Sequence, residues 1–268
     1  VPLIFLSVWL GQEWPLKITP VFGGDVTKTW SILLMIYCFM ASVMPVWMLL
    51  QPRDYLSSFL LYGSILGGFC GILLGGFSLK YPAFTGWVSP EIGPMFPILF
   101  VTVACGAISG FHSIVASGTS SKQIKEETHA LPIGYGGMLI EGLVAVIALS
   151  VIMMLDFNDP LTKKVPLAIY GNGMAKFLSV FGVPEKFGMS FGVLALATFI
   201  LTTLDTTTRL ARYIFQEFFN WNNKNYRYFS TFITLSLPTI FVLINLKDAS
   251  GNIVPAWKII WPIFGATN

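Results

Sequence analysis

Charge is what this sequence has least of: 11% of its 268 residues are charged, against about 25% in a soluble domain. With 54% hydrophobic residues and a mean hydropathy of +0.72, that shortage excludes a soluble globular protein and indicates an integral membrane one. The net charge is only +3 and the basic residues are dispersed, which excludes the contiguous basic footprint of a nucleic-acid binder. Cysteine is scarce. Cys38, Cys70 and Cys105 each sit in an apolar run without metal-ligand or CxxC spacing, so they read as small apolar residues. The two histidines, His112 and His129, lie one in a span and one in a polar loop, a poor basis for haem or di-metal ligation. GxGxxG, P-loop, GxSxG and HExxH patterns are all missing, so neither an enzyme nor a cofactor is expected. No basic segment precedes the apolar run Val1–Leu10, which therefore is not a signal peptide. Both ends read as cuts in a longer chain, since IIWPIFGATN stops as a hydrophobic segment begins.

What is present is long apolar stretches. A span needs about 20 apolar residues, which places spans near Trp30–Leu50, Ser58–Leu79, Pro94–Ala116, Ile133–Leu155, Gly188–Leu204 and Tyr228–Leu246, with partial ones at Val1–Leu10 and from Trp257 onward. The expected class is all-α: one transmembrane domain over residues 1–268, a multi-pass helix bundle in a lipid bilayer. QPRDY reads as a turn, and Asp156–Phe187 as a long loop. The arginines Arg53, Arg209, Arg212 and Arg227 fall on one side with Lys122, Lys125 and Lys224; nine lysines fall on the other. Charge counting alone does not orient the chain. Gly63, Gly67, Gly71 and Gly75 recur at every fourth residue, a small-xxx-small stripe that lets another backbone approach and predicts dense helix packing.

Three places carry polar chemistry. In ACGAISGFHS, Gly106 and Gly110 weaken the helix by about 1 kcal/mol each relative to alanine. Thr102, Cys105, Ser109 and His112 share a face there. One reading unwinds Ala104–Phe111 so that its backbone binds a substrate, with His112 a titratable neighbour; the other keeps a continuous helix whose hydroxyls bond back to their own carbonyls. Glu141 lies well inside Ile133–Leu155 beside Gly134, Gly137, Met138, Ala145 and Ala148. It is either a functional acid at bilayer depth or an interfacial acid near a helix start. In TFILTTLDTTTRLARY, Asp205 precedes Arg209 by four residues, suited to a structural ion pair. Thr202 and Thr203 offer hard oxygens for a sodium ion.

These stretches resemble the carbon starvation protein A family of bacterial inner-membrane transporters. The strings that carry the likeness are ASVMPVWMLLQPRDYLSSF, ACGAISGFHSIVASGTSSKQI, IGYGGMLIEGLVAVIAL, LDTTTRLARYIFQE and WPIFGATN, in order over most of the chain. The resemblance implies uptake of peptides, or of pyruvate by proton symport, when carbon is short. It further implies a LeuT-type inverted-repeat fold, of which this chain holds a partial set of about six to eight helices. On that view ACGAISGFHS is the discontinuous sixth helix, with Ala104, Cys105, Gly106, Ser109, Gly110, Phe111 and His112 at the substrate. Glu141, Asp205, Thr202 and Thr203 become candidates for proton or sodium coupling, the loop Asp156–Phe187 an external hairpin, and every arginine internal. A membrane-embedded subunit that senses or binds the same ligand without moving it is the alternative.

Overall fold

Asp25 starts the first long helix, its carboxylate accepting from the Thr27 amide at 2.8 Å, which satisfies a donor that a helix start leaves open. That helix, α2 (Val26–Val43), follows α1 (Pro2–Glu13). It stops where Met44, held extended at ψ 152, precedes Pro45, because the residue before a proline disfavours helical backbone. The computed structural model describes residues 2–14, 19, 25–89, 93–107, 110–221, 226–247 and 253–257. Within them the chain continues as α3 (Val46–Leu74), α4 (Met95–Ala107), α5 (Gly110–Val115) and a π-helical turn at Ala116–Ser120. Then come α6 (Ala130–Met153), α7 (Pro166–Ser179), α8 (Glu185–Phe218) and α9 (Tyr226–Leu243). Two short antiparallel pairs, Val88–Ser89 with Gly93–Pro94 and Asn245–Lys247 with Ile253–Pro255, are the strands among the described residues. The architecture is all-α.

Four described helical segments are long and apolar enough to cross a membrane: Val26–Val43, Val46–Leu74, Glu127–Met153 and Glu185–Phe218. The boundaries expected at Trp30–Leu50 and Ser58–Leu79 are corrected. The break lies at Met44–Pro45, and QPRDY is not a turn but part of α3, which runs through Pro52. An apolar surround lets a helix keep a proline, since neighbouring groups re-satisfy the freed carbonyl. The span expected at Pro94–Ala116 is divided between α4 and α5.

The chain divides into two compact units. In the first, residues 1–17, 47–85 and 125–203, the core gathers Leu60 of α3, Ile147 and Val151 of α6, Met174 and Phe177 of α7, and Phe191 of α8. Here the glycine stripe finds its partners. A side chain at Gly71 would meet the Phe177 backbone at 2.8 Å, one at Gly67 the Leu178 side chain at 2.6 Å, and one at Gly63 the Phe191 ring at 3.0 Å. Gly75 departs from the expected role: it lies past the end of α3, against Phe77 and the Gly71 carbonyl of its own segment. The loop expected over Asp156–Phe187 is likewise corrected. Its centre is α7, whose Tyr170, Met174 and Phe177 are buried. Gly182, at φ +77, reverses the chain between α7 and α8, a backbone conformation that glycine adopts without cost.

In the second unit, residues 18–46, 86–124 and 204–268, α2 packs along α9. The buried positions are small: Cys38, Ala41 and Ser42 on α2, Ser230 and Thr231 on α9. Lipid is as apolar as leucine, so close packing rather than water exclusion holds membrane helices together. Ser230 and Thr231 donate to their own helix carbonyls at Tyr226 and Arg227, at 2.6 and 2.7 Å. Asn220, at φ 53, ends α8 in a left-handed cap, with the Trp221 amide returning to the Gln216 carbonyl at 2.8 Å.

Candidate functional site

The second unit holds an acid with no exposed surface. Asp205 is 0% exposed on α8, and the Tyr37 hydroxyl of α2 donates to its Oδ2 at 2.8 Å. One turn on, Arg209 is also buried, and its Nη2 donates to the Ala41 and Met44 carbonyls at 2.6 and 2.9 Å. Those carbonyls belong to the last turn of α2, where the helix leaves acceptors unused and its dipole favours a cation. Asp205 and Arg209, expected as an ion pair, thus share one buried face of α8, and the contacts described above take each of them to α2 through a different group. Thr206 and Thr208 are buried beside them. Tyr37 also lines an open groove along α2 with Thr27, Trp30, Ser31, Leu33 and Leu34.

The other predicted residues are placed as follows. Ala104, Cys105, Gly106 and Ala107 continue α4, while Gly110, Phe111 and His112 begin α5; Ile108 and Ser109 lie outside the described residues. The expected unwinding of Ala104–Phe111 is therefore not seen in its described part. Beyond α5 the described backbone turns irregular at Ala116–Ser120, where the Ser121 amide reaches back five residues to the Ala116 carbonyl at 2.9 Å. Such turns recur at functional sites. Ser113 donates to the Gly110 carbonyl at 2.7 Å, and His112 is exposed. Gly118 packs on Leu210 of α8, whereas a side chain at Gly106 would meet nothing within 4 Å. Gly118→Ala is accordingly expected to lower stability by about 1 kcal/mol and Gly106→Ala to leave it unchanged or raise it by up to about 1 kcal/mol, as read by thermal unfolding in detergent.

In the first unit, Thr202 donates to the Thr198 carbonyl at 3.1 Å and lies 3.4 Å from Asp54 Oδ1 on α3; Thr203 donates to the Phe199 carbonyl at 3.2 Å. Both hydroxyl hydrogens are thereby engaged, and no group of three or more His, Cys, Asp or Glu side chains that could hold a metal ion occurs among the described residues. Glu141 is exposed on α6, and side chains built at Gly134, Gly137 and Gly142 would meet nothing within 4 Å. Two functional candidates were missed in the sequence. Tyr37 reads there as one more apolar-helix aromatic, and Asp54 was hidden by taking QPRDY for a turn.

The sequence profile described as carbon starvation protein CstA matches residues 1–172 and 158–268. The chain belongs to this family. Among CstA relatives, the peptide transporter CstA of Escherichia coli (strain K12) is 32% identical over 91% of this chain and 43% of its own length. The peptide transporter CstA of Helicobacter pylori (strain ATCC 700392 / 26695) is 31% identical over 99% of this chain and 47% of its own. The pyruvate/proton symporter BtsT of Escherichia coli (strain K12) is 43% identical over 56% of this chain and 22% of its own. The chain thus spans less than half the length of these relatives. No solved structure matches.

Proposed function

We propose that this chain forms part of a secondary transporter that takes up a small organic nutrient, a peptide or pyruvate, across a bacterial inner membrane. Coupling is to protons, and the mechanism is alternating access on a LeuT-type inverted-repeat core. The family and the names of its relatives support the substrate class. The observation that carries the mechanism is Asp205, wholly buried on a helix apolar enough to span a membrane and held by Tyr37. An ionised carboxyl at bilayer depth costs a few kcal/mol, so gaining or losing one proton there shifts the balance between two helix arrangements by a comparable amount. Asp205 takes the coupling role in this reading, with Glu141 the second candidate. Gly110, Phe111 and His112 line the substrate path together with the preceding end of α4, and the π-helical turn passes their movement to α8 through Gly118 and Leu210.

Uptake into proteoliposomes tests the reading: accumulation of labelled pyruvate or dipeptide driven by an inward proton gradient is expected. No transport of either under any ion gradient would remove it. Tyr37→Phe deletes only the hydroxyl that reaches Asp205. It is expected to reduce accumulation without abolishing it and to lower stability by about 1 kcal/mol, read by uptake and thermal unfolding of the same preparation.

A further inference from the structure

Lys122, Arg209, Arg212 and Arg227 come from three separate stretches of the second unit and converge. Arg209 and Arg212 lie on one face of α8, 3% and 2% exposed. Arg227, at the start of α9, and Arg209 both stand close enough to Arg212 to repel it. Lys122, just past the π-helical turn, places Nζ 5.6 Å from the centre of the Tyr213 ring, and the Arg212 guanidinium carbon lies 4.6 Å from the same centre. The Nε atoms of Arg209, Arg212 and Arg227 are buried and find no acceptor among the described residues. The two hydrogen bonds from Arg209 to α2 end on neutral carbonyls, and among the described residues Asp205 is the one acid on the same buried face. Positive charge withdrawn from water without an equal counter-charge is costly, and planar guanidinium groups match the oxygens of a phosphate in pairs.

The rings around this cluster indicate what supplies the anion. Beside it, Phe215, Phe219, Trp221, Tyr226 and Phe229 form a chain of ring contacts 4.7 to 5.7 Å between centres, with Phe219, Tyr226 and Phe229 largely exposed. Trp and Tyr, here Trp221 and Tyr226, collect where lipid headgroups meet the hydrocarbon. We propose that Lys122, Arg212 and Arg227, backed by Arg209, bind the phosphate of an anionic phospholipid at this level. The site is separate from the transport reading and stands or falls without it.

Native mass spectrometry of the intact chain, delipidated in detergent and titrated with phosphatidylglycerol, phosphatidylcholine or inorganic phosphate, tests the site. Phosphatidylglycerol is expected to bind more tightly than phosphatidylcholine. Lys122→Gln and Arg227→Gln, at the accessible rim rather than the buried face, are each expected to weaken it about fivefold. Equal retention of the two lipids, or unchanged phosphatidylglycerol affinity in both variants, would overturn the proposal. Inorganic phosphate competing at the same concentration as the lipid would overturn the lipid source.

Discussion

Asp205→Asn is expected to abolish gradient-driven accumulation while preserving exchange of substrate across the same membrane. The amide is nearly the size of the carboxyl and still offers an oxygen to the Tyr37 hydroxyl, which now lies 2.8 Å from Oδ2. It cannot ionise. A transporter that no longer exchanges a proton at that point can still alternate, so counterflow of labelled for unlabelled substrate continues and net uptake falls to passive equilibration. Asp205→Ala is a harsher change. It removes the acceptor that the part-buried Tyr37 hydroxyl uses and is expected to cost about 1–3 kcal/mol of stability. Counterflow separates the two effects, because a misfolded protein loses exchange as well as accumulation. Glu141→Gln, made in parallel, decides between the two acids: the variant that loses accumulation and keeps exchange identifies the coupling group.

The second large effect concerns folding. Gly71→Leu is expected to prevent α3 from packing on α7. Even one added carbon at Gly71 would sit 2.5 Å from Phe177 Cβ and 2.8 Å from its Cα, and a backbone atom cannot rotate away. Overpacking of this kind costs about 1–3 kcal/mol for small additions and more for large ones. Gly71→Ala should therefore destabilise measurably, and Gly63→Ala should do so less, because its nearest neighbour is the rim of the Phe191 ring at 3.0 Å. Thermal unfolding of detergent-purified protein reads the order. If all three variants matched the parent, α3 would not be seated on α7 as described.

Much of the architecture is written in hydropathy alone, and the errors have physical causes. The long apolar helices are unmistakable because a bilayer demands length. By contrast α7 is only 14 residues, short of the span rule, and its mixed composition resembles a loop. What makes it a core element is its small residues, Gly171 against Val193 of α8 and Gly173 against Val151 of α6, with the α3 stripe seated on Phe177 and Leu178. QPRDY carries a proline and two charges, the usual signs of a turn, yet the chain breaks at Pro45 instead, where the preceding residue is already extended. At the site, Asp205 is conspicuous in sequence because a lone acid among threonines has few structural reasons to be there. Tyr37 is not: it lies on α2, and nothing in local spacing announces that α2 and α8 meet. Glu141 had the same conspicuousness as Asp205 but is exposed, so an acid in an apolar run does not by itself give burial.

The measurement that bears most directly on the central claim is proton movement recorded together with substrate. Proteoliposomes carrying a pH-sensitive dye inside, with no gradient imposed, should acidify when pyruvate or dipeptide is added outside, and should not do so with Asp205→Asn although labelled substrate still exchanges. Acidification in the Asp205→Asn vesicles equal to that of the parent protein would contradict the account.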